Sequence, residues 1–323
     1  MHSPARVSDD AALTSLVDAA RNALRAELLE RGLLFGDTDL LTTAPELLAR
    51  ALALCYPEFD LSSQRVDVVF ESVEERGRIE QALLFGWATA DVLAPTATDH
   101  RRPLLCAMFN LGIGMIDSLC DNDPLRGAAL LEFVQSLDVE AAASGEWREG
   151  KMLASLSAGA ARDPTLAFTA RVIDAFFSLL NATYAPPVRK EIGRLLAKAF
   201  AAEQRSVTRS TAVRAELLEA SRDTSVLPFR IMATLVGVDI GAATQLGEAL
   251  WRIDDLIDLE LDARSGALNS LLLDGLPDSA RIESVAREAV DHLQAGLGSG
   301  DNSHFLSFVR RYAQITIEGS TLH

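Results

Sequence analysis

The stretch that most constrains this chain is Trp251-Arg252-Ile253-Asp254-Asp255-Leu256-Ile257-Asp258-Leu259-Glu260-Leu261-Asp262. Aspartates recur at 254, 258 and 262, each four residues after the last. On a helix each such step advances about 40° around the axis and about 6 Å along it, so the three carboxylates form one row. Asp255 is turned about 100° from that row, and Glu260 also lies off it. Trp251, Ile253, Leu256, Ile257, Leu259 and Leu261 fill much of the remaining circumference. A helix that apolar is buried on several sides, so the row is expected to face an interior cavity rather than bulk water.

Such a row is costly. Aspartate is a poor helix former, and like charges at i,i+4 repel by roughly 0.2–0.5 kcal/mol per pair even on a surface. Burial raises the cost of unpaired carboxylates further. A local rule broken this plainly points to a functional site. Oxygen-only donors in a cluster suit a hard cation, and Mg²⁺ typically takes one or two carboxylates together with waters and substrate phosphates. The competing reading is a solvated acidic face closed by Arg252 and Arg264, and the apolar flanks argue against it.

A second acidic stretch supports the first. The segment from Phe109 to Asp123 ends an apolar helix with Asp117 and Asp121 at i,i+4, and Pro124 follows. Proline disfavours helix at the residue before it, so the helix should end near there. Gly114 precedes Asp117 on the same side and can leave room beside the carboxylates. Alone, this would be a plain C-terminal turn. Beside the later row it is a second set of metal ligands.

Together these stretches resemble the class I isoprenoid synthases: terpene cyclases, trans-prenyltransferases and squalene/phytoene synthases. Asp117-Ser-Leu-Cys-Asp121 is similar to their first motif, Asp-x-x-x-Asp. Asp254-Asp255-Leu-Ile-Asp258 is similar to the Asp-Asp-x-x-Asp form of the second, and Asp262 extends it. The segment from Thr224 to Gly237 resembles the stretch upstream of that motif, although Asp223 stands where prenyltransferases have a lysine. The cyclase signature Asn-Asp-x-x-Ser-x-x-x-Glu is absent. The resemblance spans roughly 100–275. It implies an all-α fold in which a single large helical bundle, 1–323, surrounds a central apolar cavity. It also implies Mg²⁺ held by Asp117, Asp121, Asp254, Asp255, Asp258 and Asp262.

Magnesium alone leaves diphosphate charge uncompensated, so cationic or polar side chains should accompany it. Arg230 is the first candidate, because it sits in the apolar run Val226 to Val236 where an unpaired guanidinium is costly. Its other reading is a structural partner for an aspartate. Arg264, which precedes Ser265-Gly266, a loop that can close over the site, and Asn269-Ser270 are further candidates. Arg205 and Glu203 belong to a mixed-charge, solvated face. Arg101-Arg102 stand too close to Asp117 for the basic pair of chain-elongating prenyltransferases, so that role is not carried over.

The expected chemistry is Mg²⁺-dependent ionisation of an allylic prenyl diphosphate, of the farnesyl or geranylgeranyl class, followed by carbocation cyclisation. The alternatives are a prenyl-coupling enzyme, which would need a second basic site, and a non-catalytic helical subunit. A net charge of −16 argues against nucleic acid and anionic membrane surfaces as partners. The N-terminus has no signal-peptide core, and no run of 18 apolar residues suggests a membrane span. Cys55, Cys106 and Cys120, in apolar settings without CxxC spacing, read as reduced core thiols of a cytoplasmic protein. A homodimer is an open expectation.

Periodicity predicts helices at 8–32, 43–54, 65–94, 103–121, 125–137, 165–183, 187–219, 224–236, 240–264, 279–297 and 303–317. Ser8 or Asp9 is placed to cap the first. The segment 93–100 is predicted as loop, 140–163 as partly loop, and the glycine-rich 296–302 as a mobile link. Val66 to Phe70 is the one tempting strand pattern.

Overall fold

The computed structural model describes residues 10–33, 43–57, 73–95, 99–122, 139–146, 163–208, 214–298, 302–313 and 315. Within them the chain is helical throughout: α1 (Asp10–Glu30), α2 (Ala44–Cys55), α3 (Val73–Leu93), α4 (Arg101–Asn122), α5 (Val139–Ala141, continued by a π-turn at Ala142–Glu146), α6 (Pro164–Thr183), α7 (Pro186–Thr208), α8 (Arg214–Val236), α9 (Ile240–Ile257), α10 (Leu259–Ser265), α11 (Ser279–Gly296) and α12 (Ser303–Tyr312). No strand occurs among the described residues, where β pairing is limited to an isolated bridge, Leu273 to Gly275. The class is all-α. The predicted helix at 125–137, the strand pattern at 66–70, the caps Ser8 and Asp9 and residues 147–162 lie outside the described residues.

Most boundaries follow local chemistry. Asp163 caps α6 by accepting from the backbone N–H of Thr165 and Leu166, with Pro164 at the first helical position. Asp239 and Asp278 cap α9 and α11 in the same way. Gly237, at φ 78°, ends α8, and the N–H of Gly237 and of Val238 both return to the Ala233 carbonyl.

The helices gather into two compact units. One holds α1, the end of α7 from Lys198, α8 up to Arg230, and everything from Asp239 onward; the other runs from Asp39 to Ala197 and includes Ile231–Val238. In the second unit α3 packs on α4, and α4 on α6. Gly86 makes the first contact, since a Cβ there would lie 2.3 Å from the Cys106 carbonyl oxygen. Among the described residues, only α6 is long and apolar enough to cross a membrane, and Phe168, Val172, Phe176, Phe177 and Leu180 on it are buried in this unit's core. Arg102 donates to the Val236 carbonyl at 2.9 Å, and Tyr184 donates to that of Leu235, so both close the end of α8. Cys55 and Cys106 are buried free thiols, and burial pushes Cys55 up to about 12.

In the first unit α9 packs against α11, and α1 against α11. Gly247 lets α9 approach α8, because a Cβ would stand 2.7 Å from Val226 Cα. Three predicted boundaries change. The helix at 240–264 is two helices, α9 and α10, broken at Asp258. The predicted pair 187–219 and 224–236 divides instead into α7, ending at Thr208, and α8, beginning at Arg214. The last helix stops at Tyr312 rather than 317. Pro228 lies inside α8, where it offers no N–H to the Thr224 carbonyl, but α8 continues through it.

Candidate active site

The acidic stretch lies within the first unit, at the α9–α10 break. The aspartates that make the stretch conspicuous also cost helix stability, and the backbone yields at the middle one. Asp258, at φ −94° and ψ 9°, ends α9 and opens α10. Backbone bonding still runs through the break: the Asp258 N–H reaches the Asp254 carbonyl at 2.9 Å, and that of Asp262 reaches Asp258 at 2.8 Å. Ile253, Leu256 and Leu259 anchor both sides by full burial.

The four aspartates have different environments. Asp255 is 4 % exposed, and its carboxylate accepts from the Ser270 hydroxyl and, at 3.3 Å, from the Ser270 N–H. Asn269, 1 % exposed, donates through Nδ2 to the Asp255 carbonyl at 2.8 Å and to Asp262 Oδ2 at 2.9 Å. Its Oδ1 accepts from the Leu271 N–H at 3.0 Å. Tyr312, stacked on Phe308 in α12, donates its hydroxyl to Asp254. Asp254, Asp258 and Asp262 are all partly exposed.

Burial is the main cause of a high Asp254 pKa, pushed up to about 8, against the pull of the Tyr312 hydrogen bond; Asp258, Asp255 and Asp262 push it further. Asp254 is thus partly exposed yet surrounded by enough protein atoms for desolvation to dominate. Asp255 rises to about 6, again mainly through burial, with the Ser270 hydrogen bonds opposing.

The neighbouring arginines pair with glutamates. Arg252 meets Glu248 at 2.7 Å and Glu288 at 3.2 Å, and lies over the Trp251 ring at 5.0 Å. Arg222 also pairs with Glu248. Burial raises the Glu248 pKa, but the two guanidinium groups outweigh it and hold the carboxyl below its ordinary value. Trp251 Nε1 donates to Ser221 Oγ at 2.9 Å. Arg264 is exposed and pairs with Glu260 at 2.5 Å.

The remaining predicted residues are placed as follows. Arg230 is half-buried on α8; burial raises the pKa of Asp223 above its ordinary value, and Arg222, Arg205 and Arg230 pull against it. Asp117 and Asp121 fall in the last turns of α4, and their side chains lie outside the described residues. Gly114 faces α3, where a Cβ would make ordinary contact with Ala82 at 3.6 Å. Asn269 is brought to the acidic cluster, with its amide committed to the chain itself. Among the described residues no three carboxylate, imidazole or thiol groups converge closely enough to enclose a metal ion. Sequence reasoning missed Tyr312 and the Glu248–Arg252–Arg222 network. Tyr312 lies 58 residues from Asp254 with no spacing signal to link them; Glu248 and Arg252, at i,i+4, offered one.

No protein-family model matches the chain, and no curated protein matches it.

Proposed function

We propose that the chain is a class I isoprenoid synthase that ionises an allylic prenyl diphosphate and guides the resulting carbocation to cyclise. The observation that carries this reading is the Asp254 carboxyl. It stands with Asp258 and Asp262, all three partly exposed, beside Asp255 at the α9–α10 break, and burial and these neighbours raise its pKa, a concentration of negative charge that a cation would offset.

The donor set fits Mg²⁺. It is oxygen-only, and Asp254 and Asp258 provide the one or two carboxylates that Mg²⁺ takes when water and substrate phosphate complete its shell. A three-donor protein cage is not required for that chemistry. When bound, Mg²⁺ supplies Lewis-acid neutralisation of the leaving diphosphate. The chain's own contribution is to fix and shield. Asp254 is oriented by Tyr312 and Asp262 by Asn269. Ile253, Leu256 and Leu259 keep water from the buried side of the row. Arg230 is assigned to the diphosphate as a charge-assisted donor. Asp117 and Asp121 enter on the resemblance of their motif.

Prenyl coupling is the second reading, favoured by the prenyltransferase form of Asp254-Asp255-x-x-Asp258. The experiment is incubation with geranyl, farnesyl and geranylgeranyl diphosphates, singly and in pairs, with Mg²⁺ and product analysis by mass spectrometry. Cyclic products from a single substrate are expected. Products of summed chain length would replace cyclisation with coupling. No consumption of any substrate would overturn the enzyme reading.

A further inference from the structure

On the reading that the acidic row holds a divalent cation, we propose that Asn269 is a positioning residue for that row, acting through Asp262 and the backbone of Asp255. Its three contacts span the α9–α10 break: the Asp255 carbonyl in the last turn of α9, the Asp262 carboxylate in α10, and the Leu271 N–H in the following loop. The partners fix the orientation of the amide, because two oxygens face its nitrogen and an N–H faces its oxygen. A buried side chain with its donors and acceptor engaged is held in one arrangement, so the angle at Asp258 is held with it.

The chemistry of the contacts matters as much as their number. Asn269, Ser270 and Tyr312 are neutral donors, and each reaches an aspartate of the cluster. A neutral donor restrains a carboxylate without cancelling its charge, whereas a guanidinium would do both. Ser270 takes Asp255 into a separate buried niche and leaves Asp254, Asp258 and Asp262 partly exposed. Outer-shell donors that orient ligands in this way set cation affinity.

The test is calorimetric titration of Mn²⁺ into the full chain in the presence of inorganic diphosphate. Asn269→Ala should weaken Mn²⁺ binding about 10- to 100-fold, the usual loss when an outer-shell partner is removed. Val290→Ala, a fully buried truncation in α11, should lower the melting temperature and leave the affinity unchanged. Asn269→Ser, which keeps one donor, should show a smaller loss in the same direction and serves if Asn269→Ala does not fold. Wild-type affinity in the Asn269 variants would overturn the positioning role and leave the cation reading standing. Equal weakening in Val290→Ala would also overturn it, because stability alone would then explain the loss. If wild-type protein bound no Mn²⁺, the cation reading itself would fall, and the role of Asn269 with it.

Discussion

A carboxyl that protonates more readily in the folded chain than in the unfolded one lowers stability as pH rises. Asp254 is such a group, with an ordinary value of 3.8 and a folded value of about 8. Between those limits the native state binds more protons than the unfolded state, so its contribution is fully present below 3.8 and is lost as pH climbs toward 8. The melting temperature of wild type relative to Asp254→Asn should therefore fall between pH 5 and pH 8 in metal-free buffer. Thermal melts of both proteins across that range check it, and the comparison cancels carboxyls that do not couple to Asp254, such as Glu248, whose depressed pKa acts in the opposite direction. Parallel pH profiles would mean that Asp254 is no harder to ionise than an ordinary aspartate. At this scale the sequence was legible in part. The i,i+4 spacing announced the charge cluster, whereas the different environments of Asp254 and Asp255 come from Tyr312 and Ser270, which approach only in the folded chain.

Helix identity was largely readable because it depends on local periodicity and caps, as at Asp163 before Pro164. The break at Asp258 was not. An unbroken apolar pattern from 240 to 264 favours one helix, and the Asn269 amide that spans the break, bonding the Asp255 carbonyl and Asp262, stands 11 residues after Asp258 with no spacing signal to link them. The α7–α8 division likewise escaped periodicity, which ran on through 209–213 without a proline or glycine to stop it. Close helix crossings were equally hidden, since a glycine in a helix signals either weakness or contact. Gly247 is a contact: a Cβ would meet backbone atoms of α8, Val226 Cα at 2.7 Å and Ser225 O at 3.3 Å. Backbone cannot swing aside as a side chain can, so Gly247→Ala should destabilise the chain by ~1–3 kcal/mol, the usual range for overpacking. The midpoint of denaturant unfolding measures this, and an unchanged or higher midpoint would show that α9 and α8 separate at no cost.

At the scale of the whole molecule, a chain of 323 residues with net charge −16 builds two compact helical units, and α9, α10, α11 and α12 of the first place four aspartates around one break. Periodicity pointed to the all-α class, but neither it nor composition located the neutral donors that orient the row. The role proposed for this row is Mg²⁺-dependent ionisation of a prenyl diphosphate. The most direct measurement is the rate of inorganic diphosphate release from farnesyl and geranylgeranyl diphosphate as Mg²⁺ is titrated into the intact, chelator-treated chain, with Asp258→Asn alongside. The expected result is no release without Mg²⁺, a saturating rise on its addition, and a loss of about 10²–10³-fold in Asp258→Asn, equivalent to ~3–4 kcal/mol of transition-state stabilisation. Release undiminished in excess chelator, or wild-type rates from Asp258→Asn, would contradict it.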